Sequence, residues 1–173
     1  MILDPQDLID SGIIDSVDQP DQHAVAMSFA LRDAEHEVEQ ALGRTLATQE
    51  HSEFLDFSFR RGRWVAYPTH YPVTAAVGDD LTAEGRTIES QDEPDTEARV
   101  AYTAGYTHET LPPVLKRAIM MLAGYYLVSQ GNGTIFSRKT VQLPGGAFTA
   151  EGVRPGFKDE VLATLTNQRT IAA

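Results

Sequence analysis

His36 and Glu37 are the residues whose spacing comes closest to a catalytic motif, because they begin the His-Glu-x-x-His pattern of zinc proteases. In that motif two histidines four positions apart bind the metal, and the glutamate activates a water molecule. Gln40 stands in place of the second histidine, and an amide is a poor zinc ligand. We therefore predict that this segment binds no metal and that His36 and Glu37 are surface residues.

The segment from Gly133 to Thr140 partly resembles a phosphate-binding loop. Such a loop needs a glycine directly before its lysine, so that the backbone can wrap around the phosphates. Arg138 occupies that position before Lys139. The segment is therefore interpreted as an exposed basic loop, and no nucleotide site is predicted.

The other candidates for catalysis form no recognisable set. Since the chain has no cysteine, disulfides, thiolate nucleophiles and cysteine-based zinc or iron–sulfur sites are excluded. No serine lies in a Gly-x-Ser-x-Gly turn. The remaining histidines are not spaced as metal ligands: His23, His51, His70 and His108. We predict no catalytic, metal-binding or cofactor-binding residue, no cofactor and no enzymatic activity.

Arg60, Arg61 and Arg63 form the only basic cluster in the first half of the sequence. Several aromatic residues lie near them: Phe54, Phe57, Phe59, Trp64 and Tyr67. This combination would suit stacking on nucleic acid bases. The alternation instead favours aromatic side chains that face a core, with a basic turn between two strands. A third possibility is that the arginines pair with an acidic neighbour.

A long helix is predicted for residues 20–42, after Asp18-Gln19-Pro20 and before Gly43. Its apolar or small residues recur at spacings of 4 and 3 and so share one face: Met27, Leu31, Ala34, Val38 and Ala41. Four acids occupy its other positions: Asp33, Glu35, Glu37 and Glu39. The apolar face suits either the inner side of a small core or a seam against another subunit.

Two further helices are predicted in the C-terminal half. Leu111-Pro112-Pro113 begins one of them, whose apolar residues share one side from Leu115 to Tyr126. The other covers roughly residues 157–167 and presents Val161, Leu162 and Leu165.

Short apolar runs between these helices predict β-strands, because Arg-Gly, Pro and Asp-rich turns separate them. The runs begin at Phe54, Trp64, Val73 and Arg99. Gly78–Glu97 is polar and is interpreted as a loop or an exposed hairpin. We expect an α+β fold that is mainly helical, in which a long N-terminal helix and a second central helix pack together, with a small β region and a C-terminal helix.

The length of 173 residues, with 42% hydrophobic and 23% charged residues, fits one folded domain. We expect a single domain over 1–173, with an N-terminal arm at 1–19, a mobile Gly/Pro-rich loop at 131–156, and a C-terminal helix and tail at 157–173. No stretch approaches the roughly 18 apolar residues of a membrane span, and the first residues lack a signal sequence. A soluble intracellular protein is expected.

The formal charge of −11 is concentrated at the N-terminal end. Residues 1–56 contain thirteen acids against two arginines, whereas residues 57–173 contain twelve charges of each sign. An acidic surface repels phosphate backbones, so this region is not expected to grip DNA or RNA. The acids form either a solubilising face or a wall past which nucleic acid moves without being held.

A series of motifs follows the long helix in a recognisable order: Tyr71-Pro72-Val73, then Val100–Tyr106, then Leu111–Ile119. In this order the chain resembles the head-tail connector (adaptor) proteins of tailed bacteriophages and gene transfer agents, the gp6-like family. The motif residues define a fold and are not reactive. Gly105 can take a positive φ where a strand ends, and Pro112-Pro113 fixes the start of the next helix.

The resemblance implies a structural virion protein that forms a ring of about twelve copies beneath the portal. Such a ring joins the capsid to the stopper or tail and continues the DNA channel. The implied partners are the portal protein, a stopper or tail-completion protein, and further copies of the chain, which can be a monomer when free. The resemblance further implies that DNA passes through without specific binding, that no membrane is involved, and that the protein is made in the host bacterial cytoplasm.

The resemblance also assigns two sets of site residues. The C-terminal helix is implied to dock on the portal through Phe157, Val161, Leu162, Leu165 and Arg169. The acids implied to face the channel are Glu35, Glu37 and Glu39.

Three other interpretations stay open. Another small connector, such as a stopper or tail-completion protein, would tend to be β-rich, whereas the two strong helices favour the adaptor. A small enzyme or a non-structural regulatory protein directed at the host would differ in class. An enzyme would need a convergent polar pocket, and the sequence supplies no motif for one.

Overall fold

The computed structural model describes residues 1–12, 20–78, 80–94, 98–129, 141–143, 146–148 and 157–171. The basic segment 133–140 lies outside these residues, as does most of the predicted mobile loop. Residues 13–19 of the predicted N-terminal arm also lie outside them.

Two compact units make up the chain. A helical unit contains Leu3–Gly43 and Leu111–Ala173, and a β unit contains Arg44–Thr110. The β unit is therefore inserted in the chain between two parts of the helical unit.

The described part of the helical unit contains four helices: α1 (Pro5–Asp10), α2 (Pro20–Leu42), α3 (Pro113–Ser129) and α4 (Phe157–Ile171). Helix α2 packs mainly along α3, α4 packs against both, and α1 contacts α2. The three long helices lie where the apolar spacing predicted them.

Helix α1 begins with a reciprocal cap. The Asp4 carboxylate accepts hydrogen bonds from the backbone N–H groups of Gln6 and Asp7, and the Asp7 carboxylate accepts one from the N–H of Asp4. Asp7 is also buried, and its Oδ1 lies 2.5 Å from Nζ of Lys116. This ion pair ties α1 to α3.

The core of the helical unit is built on the predicted face of α2. Met27, Leu31, Ala34 and Val38 are at most 1% exposed, and Ala41 is half-buried. Helix α3 contributes its own buried residues at helical spacing: Leu115, Ala118, Ile119, Leu122, Ala123 and Leu127. The apolar face of α2 is thus the inner side of this core.

Seven strands form the β unit in its described residues: β1 (Gln49–Leu55), β2 (Ser58–Arg60), β3 (Arg63–Ala66), β4 (Val73–Val77), β5 (Leu81–Glu84), β6 (Thr87–Ser90) and β7 (Ala98–Ala104). They make two antiparallel sheets, one in the order β1-β7-β4 and the other in the order β2-β3-β6-β5. Two short strands of the helical unit, β8 (Val141–Leu143) and β9 (Gly146–Phe148), pair with each other.

The prediction of a mainly helical fold with a small β region is wrong, because the chain is α+β with two antiparallel sheets beside four helices. The strands are only three to seven residues long, so each gives a weak apolar pattern. Gly78–Glu97 contains β5 and β6, in which Thr and Glu side chains alternate with more buried residues. The hydrogen bonds that join these strands are made by the backbone, so an apolar side-chain pattern does not reveal them.

The core of the β unit lies on one face of each sheet: Leu55, Ala66, Val73, Ile88, Val100, Tyr102 and Ala104. The predicted inward direction is wrong for three aromatic residues, since Phe54, Phe59 and Tyr67 are 68%, 61% and 57% exposed. Phe57 and Trp64 are half-buried.

The predicted basic turn does connect two strands. Arg60 pairs with Arg63 at the ends of β2 and β3, and the two residues between them, Arg61 and Gly62, have φ angles of 51° and 85°. Positive φ at both central residues is the pattern of a type I′ hairpin turn, whose twist matches that of the strands. A non-glycine residue in this conformation is uncommon.

Gly105 is required by a close backbone approach. Its φ is 122°, and an added Cβ would lie 2.5 Å from the carbonyl oxygen of Ala47. The neighbouring backbone is hydrogen-bonded, since the N–H of Tyr106 donates to the carbonyl of Leu46 at 2.7 Å. The predicted positive φ of Gly105 is confirmed.

Replacing Gly105 with alanine is expected to lower the free energy of unfolding by about 3 kcal/mol or more, because the Cβ would collide with backbone that cannot move away. The control is Gly85→Ala, where φ is 58° and no atom lies within 4 Å of the added Cβ, with an expected loss of about 1 kcal/mol. Urea unfolding of both variants measures the difference, and equal losses would contradict the steric explanation.

Candidate docking surface on the helical unit

The predicted portal anchors on α4 are directed into the helical unit. Phe157, Val161 and Leu165 follow each other at a spacing of four and are 9%, 8% and 2% exposed. The Phe157 ring stacks near Tyr125 of α3, with centroids 6.5 Å apart. In this structure the three side chains therefore belong to the core, and their contact with a portal stays a prediction.

Leu162 is half-buried and lies beside the outer face of α4, which also presents Asp159, Glu160 and Ala163 as exposed residues. Arg169 lies in the last turns of the helix, and its side chain is outside the described residues. Asp159 and Glu160 fall in the first helical turn, where negative charge stabilises the positive end of the helix dipole. The outer face of α4 is thus partly acidic and mostly polar.

A groove of about 290 Å³ lies between α3 and α4. It is lined by Val114, Arg117, Ala118, Met121, Phe157, Glu160, Val161, Thr164 and Leu165. Val114 is 44% exposed beside it. The groove shows that α4 does not cover the apolar surface of α3 completely.

The three predicted channel acids have different environments. Glu35 is only 7% exposed, and its Oε1 accepts a hydrogen bond of 3.0 Å from the backbone N–H of Leu3. Glu37 is half-buried and lies 2.6 Å from Nζ of Lys158, while Glu39 is half-buried. Glu35 is therefore an internal acceptor in this structure, not a surface acid.

The Glu37–Lys158 pair fastens α4 to α2. The hydrogen bond from Lys158 holds the pKa of Glu37 below its usual 4.5 and raises the pKa of Lys158 above its usual 10.5. Burial, together with a hydrogen bond to Glu37, raises the pKa of the nearby Tyr126 phenol. Both partners of the pair are about one-third exposed, so the ion pair contributes modestly to stability.

The segment of α2 that partly matches the zinc-protease motif has its His36 and Gln40 side chains on the surface. His36 is exposed, and its Nε2 is hydrogen-bonded to the side-chain amide of Gln40 at 2.9 Å. Across the described residues no group of three or more His, Asp or Glu side chains is arranged to hold a metal ion. In the same part of the chain, no helix combines the length and apolarity needed to cross a bilayer.

The β unit contains a polar cluster that spacing along the chain did not reveal. His51 on β1 stacks on His70 with ring centroids 3.9 Å apart and planes inclined by 10°, and His51 also stacks on Tyr102. Thr45 Oγ1 lies 3.1 Å from Nδ1 of His70. These histidines are far apart in sequence, and the contact between them depends on the loop before β4 lying against β1.

Glu53 completes this cluster. Its carboxylate accepts hydrogen bonds from the Tyr102 hydroxyl at 2.6 Å and from the N–H and hydroxyl of Thr69, each at 2.8 Å. Burial alone would raise the pKa of Glu53, but these hydrogen bonds hold it below 4.5. Burial and the bond to Glu53 raise the pKa of Tyr102. The described side chains of this cluster form hydrogen bonds mainly with one another. The cluster therefore stabilises the β unit by holding the loop before β4 against β1.

Comparison with solved structures shows a similar fold over most of the chain. A chain from the neck of an empty gene transfer agent (GTA) particle, computed with C6 symmetry, matches with a TM-score of 0.52 and 18% sequence identity. The match covers 95% of this chain and 89% of that chain. The two proteins share a fold.

A second match is a chain from the neck of a native GTA particle computed with C12 symmetry, at a TM-score of 0.48 and 16% identity, covering 93% of this chain and 89% of that one. No family model and no curated protein matches the sequence, so membership of the gp6-like family stays a prediction.

Leu165→Ala is expected to lower the free energy of unfolding by about 2–5 kcal/mol, because it leaves a cavity beneath α4. The matched control is Leu162→Ala on the same helix, with an expected loss of about 1 kcal/mol or less, since Leu162 is only half-buried. Denaturant unfolding checks both values. Equal, small losses would mean that α4 does not belong to the core.

Acidification is expected to destabilise the β unit through His51. Burial, with a smaller effect of His70, lowers the pKa of His51 below its usual 6.5. Between the lowered value and 6.5 the unfolded chain binds more protons, so this contribution is complete above pH 6.5 and is lost progressively as the pH falls through that window. His51→Phe keeps a stacking ring without a titrating group. It should flatten this part of the pH profile of the unfolding free energy, and an unchanged profile would exclude His51 as the cause.

Proposed function

We propose that the chain is a structural virion protein, a head-to-tail adaptor that forms a ring beneath the portal, joins the capsid to the stopper or tail, and continues the DNA channel. The observation that carries this proposal is the fold shared with a chain of a gene transfer agent neck over nearly the full length of both chains. The order of the Tyr71-Pro72-Val73, Val100–Tyr106 and Leu111–Ile119 motifs supports the same role. The proposed role is not enzymatic.

The proposed assembly contains repeated copies of this chain. The related neck was computed with sixfold symmetry, which supports a ring, and a ring of about twelve copies is proposed here. The proposed partners are the portal protein on one side and a stopper or tail-completion protein on the other. Both compact units belong to the proposed adaptor domain, with 157–173 as its docking segment.

The burial of the α4 anchors changes how docking on the portal would occur. Phe157, Val161 and Leu165 are core residues, so we propose that α4 meets the portal with its outer face around Leu162. Deleting residues 155–173 would expose the apolar surface of α2 and α3, and would not separate docking from folding. Substitutions on the outer face avoid this difficulty.

The burial of the α2 acids restricts which of them are proposed to face the channel. Glu35 is buried and serves the fold, and Glu39 borders the outer face of α2, which is proposed to contact a second copy of the chain. Glu37 is therefore left as the proposed channel-facing acid. Carboxylates along a channel repel the phosphates of passing DNA, so DNA would slide without being held.

Purified chain mixed with portal rings is expected to add a ring of density at the narrow end of the portal in electron micrographs. Leu162→Glu should remove this density if α4 docks through its outer face, because a charge would enter the contact. Thr107→Glu, at an exposed position of the β unit, is the control and should bind normally. Circular dichroism confirms that both variants are folded. Normal binding by Leu162→Glu would contradict the α4 contact, and no binding by the unaltered chain would contradict the adaptor role.

A second candidate function is another neck connector, such as a stopper or tail-completion protein. The two antiparallel sheets favour it, since such connectors were expected to be β-rich. The same imaging experiment separates the two roles: a stopper should leave the bare portal undecorated and bind only to portals that already carry an adaptor.

A further inference from the structure

The hairpin β2–β3 exposes an unusual combination of side chains. Phe59 is 61% exposed and Tyr67 is 57% exposed, although both are large aromatic residues. The two rings lie on opposite faces of the hairpin, because side chains alternate along each strand. The Phe59 ring lies 5.3 Å from that of Trp64 on one face, and the Arg60 guanidinium lies 5.6 Å from the Tyr67 ring on the other. Aromatic residues and arginine are enriched at the centres of protein interfaces, where they contribute most of the binding energy.

The charge at the tip of this hairpin is largely available to a partner. Arg63 pairs with Glu89 at 2.6 Å, but Arg61 forms no ion pair within the described part of the chain. Arg61 also holds a positive φ, which glycine or asparagine would adopt at lower cost. The turn therefore presents an arginine at a position that folding alone would not favour.

The outer face of α2 carries complementary features. Val25 and Phe29 are 62% and 49% exposed and lie one turn apart. Further along the helix the same outer stripe contains His36, with Asp33 and Glu39 on its two sides. The sequence segment 1–56, which contains α2, has thirteen acids against two arginines. One of these arginines, Arg32, lies over the Phe29 ring at 5.1 Å.

We propose that the β2–β3 hairpin of one copy docks on the outer face of α2 of a second copy of this chain. The exposed Tyr67 ring, which lies on the same face of the hairpin as Arg60, would cover Val25 and Phe29, and Arg60 and Arg61 would approach Asp33 and Glu39. Charge complementarity selects a second copy as the partner, because the acids that match the arginines lie on this same chain. A nucleic acid would also meet the arginines, but it would be repelled by a chain of net charge −11.

The two docking surfaces are different, so the contact is head-to-tail, and repetition of such a contact generates a ring when its rotation closes. In this respect the inference rests on the proposed adaptor function. A hairpin on a helix face is a small contact, and it is weak on its own. Many copies held together on a portal would strengthen it through high effective concentration.

The absence of cysteine makes a direct test possible, because any added thiol is unique. One chain carries Ser58→Cys beside the hairpin and a second carries His36→Cys on α2, and both positions are exposed. A short bis-maleimide should cross-link the mixed chains. Ser129→Cys, exposed on α3, replaces His36→Cys as the control and should give little product.

Charge reversal then identifies the contact. Arg60→Glu with Arg61→Glu on the Ser58→Cys chain should lower the cross-link yield about tenfold, and so should Asp33→Lys with Glu39→Lys on the His36→Cys chain. The two reversed chains mixed together should recover the yield, because each charge again meets its opposite. An intramolecular contact could not produce this recovery between two chains.

Three outcomes would overturn the proposal. The first is a cross-link yield equal to that of the Ser129→Cys control, both for the chains alone and with portal present. The others are a cross-link yield that charge reversal does not change, and a yield that does not recover when the two reversed chains are mixed. If reversal of the arginines abolishes binding to a labelled DNA duplex but leaves cross-linking intact, the hairpin serves nucleic acid instead. Portal imaging keeps the proposals separate. If the chain binds the portal but gives no cross-link, the hairpin contact is contradicted and the adaptor role is not. If the cross-link forms but the chain does not bind the portal, the adaptor role is contradicted and the hairpin contact is not.

Discussion

The packing of α2 along α3 is the contact on which the rest of the helical unit depends. Residues 44–110 separate these two helices in the chain, so their pairing brings the two ends of a long segment together. The packing of the helices must therefore offset the conformational entropy that is lost when the segment is closed. The compensation comes from the apolar face of α2, whose central residues are almost fully buried, and from the matching face of α3. Helix α4 then adds its own apolar face to the same core, and the cap and ion pair of Asp7 fix α1.

The charged residues of the chain have different structural roles. The acids of the N-terminal segment are not equivalent, since Glu35 accepts a backbone hydrogen bond, Glu37 pairs with Lys158, and Glu39 lies at the margin of the outer face of α2. The basic residues of the hairpin turn are exposed on the other unit.

Part of the candidate site followed from the sequence and part did not. The C-terminal helix was predicted to present Val161, Leu162 and Leu165, and Val161 and Leu165 do share its buried face, whereas Leu162 is only half-buried. Spacing does not tell whether such a face meets the core of its own chain or a partner. The polar cluster of His51, His70 and Glu53 was not visible in the sequence, because His51 and Glu53 lie on β1 whereas His70 comes from the loop before β4. The exposed aromatic residues of the hairpin were expected to be buried, since an alternating pattern identifies two faces without saying which one is covered.

The sequence by itself determined the three long helices, the positive φ of Gly105 and the basic turn at Arg61-Gly62. Each of these depends on local spacing or on the conformation of a few residues. Tertiary structure alone decided the extent of the two sheets, the burial of Glu35 and the inward direction of the α4 face. Short strands are stabilised by backbone hydrogen bonds to partners that are distant in sequence, and burial depends on which surfaces meet. Neither quantity is encoded in a short window of residues.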